Sequence, residues 1–275
     1  MTRSPRWCHA DDFDPPLRTD ADVYRRRIVV ERVDHTTVRS VLEDDFHHFE
    51  VTLTHDGTHV ADVTNDSHRY PWTTCPNAAG NLGLLVGARL SSRFTHAARA
   101  ASAQQNCTHQ FDAAAHAFTA AASGRTYRQY DCEVAALLTA GAQPRPNRVF
   151  VDGQLAHEWW VIPGRGPEQL PAPFDQAPWR GGFMRWADEH LDPDAAEIAI
   201  VLRRACDIGM GRNMPLDSIP VASELLVTMS GVCYTMQPDI ATSGIRNTGS
   251  IRDFAANPAP LGADAADHRD TVFRD

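Results

Sequence analysis

The chain of 275 residues lacks several features that mark common classes of protein. It has no run of about 20 apolar residues, so we expect no membrane-spanning helix and no membrane partner. Residues 1–20 contain no apolar stretch of the kind found in secretory signals, and we therefore expect a cytoplasmic protein. Its six cysteines lie far apart, which in such a chain favours metal binding, catalysis or burial over a disulfide framework.

Positive charge is also scarce, since 26 Lys and Arg against 35 Asp and Glu give a net charge of −9. A general nucleic-acid-binding protein needs a basic surface, so this balance argues against nucleic acid as a partner. We expect a small-molecule substrate instead and leave self-association into a homo-oligomer open. The chain has no CxxC, HExxH or GxSxG motif and no phosphate-binding loop, so no motif identifies a reaction by itself.

The distribution of hydrophobic residues predicts an α+β protein with four regions. We interpret them as a flexible N-terminal arm (1–24), an α+β core (25–140), a mixed, mainly helical C-terminal region (147–256) and a frayed tail (257–275). The core is expected to form a small antiparallel sheet backed by helices, and the C-terminal half to be largely helical.

Local patterns predict individual elements. Phe49, Val51 and Leu53 alternate with polar residues, as in a half-buried strand, and Asp56-Gly57 is typical of a hairpin turn. The alanine-rich stretch from Thr108 predicts a helix that ends at Gly124. The remaining predictions are strands at 27–33, 36–42 and 58–63, helices at 81–86, 132–140, 194–206 and 220–236, a hairpin at 148–155 and a loop at 163–182.

Three residues are distinguished by their placement along the chain. His47 enters the best-defined strand, Cys75 follows the partner strand, and Cys107 directly precedes the alanine-rich helix. A helix N-terminus favours a thiolate over a thiol, and a thiolate is the form that binds a metal or attacks an electrophile. Cysteine is also among the residue types most often buried, so an inert structural thiol is the alternative interpretation.

The order of these motifs resembles a bacterial domain of unknown function, number twenty-eight eighty-nine. The resemblance extends over roughly residues 25–140 and lies in the strand at 47–53, the strand at 60–63, Cys75-Pro76 and the run 106–109 (Asn-Cys-Thr-His). His48-Phe49 stands where that family prefers Asp-Met, and Asn106 stands where it prefers Gly.

The same order is more distantly similar to iron–sulfur scaffold proteins of the NifU/IscU type. That similarity implies a liganding position at His47, two more at Cys75 and Cys107, and ligands that meet at one edge of a small sheet. The first scaffold cysteine has no counterpart, and the nearest upstream polar residues are Glu43, Asp44 and Asp45.

If His47, Cys75 and Cys107 converge, they form a ligand set typical of catalytic zinc, with iron as the alternative metal. His109 is then expected to assist as a further ligand or a general base, and Asp62 to orient His47. We expect a metal-dependent lyase, hydratase or hydrolase that acts on a small carbonyl-bearing or aromatic molecule. A non-catalytic metal or iron–sulfur carrier and a structural domain with buried cysteines are the alternatives.

Four tryptophans lie in or near the Pro/Gly-rich stretch of the C-terminal half: Trp159, Trp160, Trp179 and Trp186. Large aromatic side chains can form the apolar walls of a small-molecule pocket. They can equally cover one face of the sheet, and the sequence leaves both interpretations open.

Overall fold

The structure is a computed structural model, and it describes residues 23–136, 143–255 and 260–262. The predicted N-terminal arm and C-terminal tail lie almost entirely outside these residues. No helix in the described ranges is long and apolar enough to cross a membrane.

An antiparallel sheet forms the centre of the protein and contains eight strands within the described residues. Their order across the sheet is β4-β3-β2-β1-β5-β6-β7-β8. The strands are β1 Val23–Arg32, β2 Thr37–Asp44, β3 His48–His55, β4 Val60–Arg69, β5 Tyr127–Ala135, β6 Arg145–Val151, β7 Gln154–Ile162 and β8 Gly166–Gln169. The predicted α+β class is therefore confirmed, but the sheet is larger than the small one predicted.

Two long helices pack against the sheet. These are α2 and α4. All the α-helices of the described residues are α1 Ala79–Leu82, α2 Thr108–Ser123, α3 Phe183–His190, α4 Pro193–Gly209, α5 Leu226–Met229 and α6 Pro238–Ala241. Helix α2 contacts β1, β2 and β3, whereas α4 contacts β1, β5 and β6. The predicted end of α2 is confirmed, since Gly124 adopts the left-handed conformation with φ of 68°. The predicted helix at 194–206 is confirmed as α4, whose N-cap is the side chain of Asp192.

The prediction of a helix at 132–140 is wrong where the structure describes it, because residues up to Ala135 belong to β5. Tyr130, Cys132 and Val134 are all buried, which is the period-2 pattern of a strand. Strand β5 pairs with β1 on one side and with β6 on the other. These long-range hydrogen bonds override the local helix propensity of Glu-Val-Ala-Ala.

The prediction of a long helix at 220–236 is also wrong, since this stretch folds into short turns around the four-residue helix α5. Gly231, with φ of 74°, interrupts it. The predicted hairpin at 148–155 is confirmed, and its turn residues Asp152 and Gly153 have φ values of 50° and 81°. The predicted loop at 163–182 contains the short edge strand β8.

The sheet contains strands from both sides of the predicted boundary at 140–147. The division into domains stays a prediction. For the functional site, the important junction is the one where the N-terminus of α2 packs against β2 and β3. The connection between those two strands and the first turn of the helix therefore lie close together.

Candidate metal centre

The turn between β2 and β3 is organised by the carboxylate of Asp44. Its Oδ1 accepts hydrogen bonds from the backbone N–H groups of Phe46 and His47, both at 2.8 Å. The same oxygen lies 3.0 Å from Nδ1 of His47. A hydrogen bond at Nδ1 fixes the orientation of the imidazole and leaves Nε2 as the ring atom able to bind a ligand.

Arg69, the last residue of β4, holds the backbone of this turn from outside. Its Nη2 donates to the carbonyl oxygens of Asp44 at 2.6 Å and His47 at 3.1 Å, and its Nη1 donates to that of Asp45 at 2.9 Å. Charge-assisted hydrogen bonds of this kind are stronger than neutral ones. The turn that presents Asp44 and His47 is therefore fixed by a residue from a different strand.

His109 reaches the same place from the first turn of α2. Its ring stacks on that of His47, with centroids 3.5 Å apart and planes inclined by 22°. Its Nε2 lies 3.6 Å from Oδ2 of Asp44 and has no hydrogen-bond partner among the described residues. The ligand atoms of Asp44, His47 and His109 all lie within 4.8 Å of one another.

The three side chains are largely removed from solvent, since Asp44 is fully buried and His47 and His109 are 9% and 7% exposed. Burial raises the pKa of Asp44, but the charge and hydrogen bond of His47, with smaller contributions from His109 and Arg26, hold it well below the ordinary value. Burial, followed by the charge of His47, lowers the pKa of His109. An ionised carboxylate and a neutral imidazole are the forms that bind metal ions.

The separation of one pair of these ligand atoms fits a metal ion. Two ligand atoms at about 2.0–2.2 Å from one tetrahedral zinc ion lie about 3.3–3.6 Å apart. The separation of 3.6 Å between His109 Nε2 and Asp44 Oδ2 falls at the upper end of this range. It is too long for a hydrogen bond, and together with His47 the pair could hold a metal ion.

Residues 21–123 match a family described as "Protein of unknown function (DUF2889)". The chain contains a DUF2889 domain. The resemblance to this domain is thereby confirmed, and the matched range includes Asp44, His47 and His109. No curated protein and no solved structure matches the chain. Nothing in these comparisons supports a similarity to NifU/IscU-type scaffolds.

The DUF2889 domain brings His47 and His109 together, whereas Cys75 and Cys107 lie outside the close group. Of the residues that the structure describes, the three that combine ligand atoms within 4.8 Å are Asp44, His47 and His109. Cys75 begins a short 3₁₀ turn, and its Sγ lies 3.6 Å from Oγ1 of Thr235. The predicted ligand set of His47, Cys75 and Cys107 stays a prediction, with His47 common to both sets.

The expectation of a thiolate at the start of α2 is wrong. Cys107 is the N-cap residue and is buried. Burial, followed by the neighbouring Cys75 and Cys233, raises its pKa well above the ordinary value despite the nearby backbone N–H groups. Burial likewise raises the pKa of Cys75 to about 12. Burial therefore favours the thiol form of both side chains when no metal ion is bound, because desolvation outweighs the field of the helix terminus.

Asp62 does not reach His47. It pairs with Thr54 near the hairpin end of β4, whereas His48 pairs with Arg69 at the other end of the same ladder. The carboxylate that contacts His47 belongs to Asp44, one of the polar residues just upstream of it. The signal that could have identified it is an aspartate three residues before a histidine across a strand-to-strand turn.

Further charged side chains lie near the two histidines. They are Arg26 of β1, Asp112 of α2 and Arg204 of α4. Asp112 of α2 accepts a hydrogen bond from Arg26 at 3.1 Å. It also accepts two from Arg204, at 3.0 and 3.1 Å. Arg26 faces Asp44 directly across the β1–β2 ladder. The candidate centre therefore belongs to a buried network in which both signs of charge are present.

Three of the four tryptophans, Trp159, Trp179 and Trp186, pack in or against the core of the protein. Trp159 is fully buried, with ring centroids of Phe174, Trp179 and Phe183 at 5.2, 6.1 and 5.8 Å. Arg203 stacks over Trp179 at 4.2 Å. These contacts favour the interpretation that the aromatic cluster covers the sheet, and Trp160 is the member that remains half-exposed.

Proposed function

We propose that the DUF2889 domain of this protein binds a divalent transition metal ion through Asp44, His47 and His109 and uses it in catalysis. The observation that carries the proposal is the buried Nε2 of His109, which faces Asp44 Oδ2 at 3.6 Å without a hydrogen-bond partner among the described residues. A buried polar atom left without a partner costs about 1–3 kcal/mol. A metal ion between these groups supplies the missing partner.

The ligand set is compatible with zinc and, as the alternative, with iron. Two histidines and one carboxylate bind catalytic zinc in several peptidases, and the same combination binds iron(II) in non-haem oxygenases. Three protein ligands leave at least one coordination position for water or a substrate oxygen. The set therefore favours a catalytic site, because a structural zinc site has four protein ligands.

An accessible metal ion can lower the pKa of a water molecule or polarise a carbonyl group. These two effects underlie the lyase, hydratase and hydrolase reactions expected from the sequence, on a small carbonyl-bearing or aromatic molecule. The protein's contribution is to hold the two imidazoles stacked and to keep Asp44 ionised in a buried setting. The burial of all three ligands favours a retained metal over a carrier that must release its cargo.

The test is metal analysis of protein purified without chelators and without a metal-affinity tag. We expect about one zinc or iron ion per chain, and less than about a tenth of that in Asp44→Asn and His109→Gln, because each variant removes one of three ligands. Thermal unfolding establishes that the variants remain folded. His59→Gln is the matched control, since His59 is exposed and lies outside the close group.

A second variant distinguishes the two ligand sets. The double substitution of Cys75→Ser and Cys107→Ser should leave the metal content unchanged, whereas its loss would favour the set of His47, Cys75 and Cys107. Failure of the wild-type protein to retain either metal after reconstitution would refute the proposal. The rate of metal loss to EDTA distinguishes a carrier from an enzyme. A carrier should lose its metal ion within minutes, whereas an enclosed site should retain it.

A further inference from the structure

Arg26 of β1 carries a buried guanidinium group that is mostly unpaired. Its side chain is 1% exposed, and its Nη2 donates to Oδ2 of Asp112 at 3.1 Å. Its Nε and Nη1 are buried and have no hydrogen-bond partner among the described residues. Arginine stays charged in proteins, and burying its donors unpaired is costly. This group therefore points to a ligand from outside the described chain.

The unpaired guanidinium belongs to the same buried region as the proposed metal ligands. Arg26 and Asp44 are direct partners in the β1–β2 ladder, so their side chains lie on the same face of the sheet. Tyr24, the neighbouring residue on this face of β1, donates its hydroxyl to Oδ2 of Asp44 at 2.7 Å.

The balance of charges around the site favours a bound anion once a metal ion is present. Asp112 is shared between Arg26 and the paired Nε and Nη2 of Arg204. Asp44 and Asp112 balance the two arginines when both histidines are neutral. A divalent ion at Asp44, His47 and His109 then adds positive charge in a region where uncompensated charge is expensive. A negatively charged ligand restores the balance.

We infer that Arg26 binds a carboxylate group of the substrate beside the metal ion, so that the substrate class is a small carboxylic acid. This inference rests on the proposed function, because the metal site supplies the second point of attachment. One of the two unpaired donors, Nε or Nη1, gives the carboxylate a charge-assisted hydrogen bond, which is stronger than a bond between neutral groups. Arg26 is thereby a binding residue, and the metal ion acts on another part of the same molecule.

Formate, the smallest carboxylate, is the probe for this site. Cobalt(II)-loaded wild-type protein is titrated with sodium formate at constant ionic strength, and the visible absorption of the cobalt ion reports binding. We expect the affinity for formate to fall about 10- to 100-fold in Arg26→Gln, with cobalt content retained. Arg26→Lys keeps the charge but not the planar set of donors. Its affinity for formate should lie between those of the wild type and Arg26→Gln.

Arg204→Gln is the matched control, because it removes a nearby positive charge whose Nε and Nη2 are already paired with Asp112. The affinity of this variant for formate should fall less than that of Arg26→Gln, since Arg204 is not proposed to contact the carboxylate. A larger loss in Arg204→Gln than in Arg26→Gln would contradict the assignment to Arg26.

A metal-free measurement separates this inference from the proposed function. Formate should raise the thermal unfolding temperature of metal-free wild-type protein and leave that of Arg26→Gln unchanged, since a ligand that binds only the folded state stabilises it. Absence of cobalt uptake would refute the metal site. The thermal unfolding of metal-free protein with formate would still test Arg26. Equal formate effects in both proteins, or none in either, would overturn the inference and leave buried water as the partner of the guanidinium. If Arg26→Gln does not fold, Arg26→Lys replaces it, and formate should then raise its unfolding temperature by less than that of the wild type.

Discussion

Glu197 of α4 provides a sharp test of how the helices are joined to each other. It is 1% exposed, and its Oε1 lies 2.7 Å from Nδ1 of His116 and accepts a hydrogen bond from Thr119 at 3.1 Å. Its Oε2 accepts a hydrogen bond from Arg125 at 3.1 Å. His116 and Thr119 belong to α2, so this carboxylate ties α2 to α4 behind the sheet. We predict that Glu197→Gln destabilises the protein in a pH-dependent manner.

The size of the effect follows from the pKa of Glu197. Burial alone would raise this pKa, but the hydrogen bonds and charges of His116 and Arg125 outweigh burial and lower it to about 2, from an ordinary value of 4.5. At about 1.4 kcal/mol per pKa unit, this difference corresponds to about 3 kcal/mol of stability at pH 7. Because the pKa is lower in the folded state, the stabilisation is present above about pH 4.5 and is lost as the pH falls toward 2.

Urea unfolding at a series of pH values measures the free energy of unfolding for wild type and Glu197→Gln. We expect the free energy of unfolding of the variant to lie about 3 kcal/mol below that of wild type at pH 7, and about 1 kcal/mol below it at pH 3. Glu158→Gln is the control, because Glu158 lies 2.7 Å from Arg148 at a surface where their side chains are 32% and 37% exposed. This variant should lose less than about 1 kcal/mol. A pH-independent gap for Glu197→Gln, or one no larger than that of the control, would refute the reasoning.

Two further predictions concern the turn and the close packing of the structure. Arg69→Met should weaken cobalt affinity about 10- to 100-fold, because the 44–47 turn loses its supporting hydrogen bonds, and a chelator competition that shows unchanged affinity would contradict this. Gly166→Ala should cost about 2–3 kcal/mol in urea unfolding, since Gly166 has φ of 109° and a Cβ would lie 2.8 Å from Trp179. Gly80→Ala, where a Cβ meets nothing within 4 Å, should be close to neutral, and equal losses in both glycine variants would count against the packing argument.

The sequence predicts some features of the candidate site and misses others. Placement at the entry of a strand and the start of a helix drew attention to His47 and His109, and the structure brings these two rings together. The same reasoning favoured a thiolate at Cys107, but burial raises the pKa of that thiol. The field of a helix terminus can be inferred from local sequence, whereas the desolvation that opposes it depends on residues packed around the thiol from distant parts of the chain.

Asp44 illustrates a second limit. Its relation to His47 is local, since both lie in one turn, and the hydrogen bonds from Phe46 and His47 follow from a short loop after a strand. Its relation to His109 is not local, because it requires α2 to pack with its first turn against the β2–β3 connection. The unpaired donors of Arg26 have the same origin, since β1 places that side chain in the interior between the sheet and the helices.

By itself, the sequence determined the elements that short-range chemistry specifies. The hairpin at Asp56-Gly57, the helix that ends at Gly124 and the turn at Asp152-Gly153 all depend on backbone preferences of a few adjacent residues. The tertiary structure alone decided that residues 127–135 form a strand in mid-sheet, that burial raises the pKa of the Cys107 thiol and that Asp44 meets His109. Those outcomes depend on burial and on contacts between segments far apart in the chain, and local residue preferences carry little information about either.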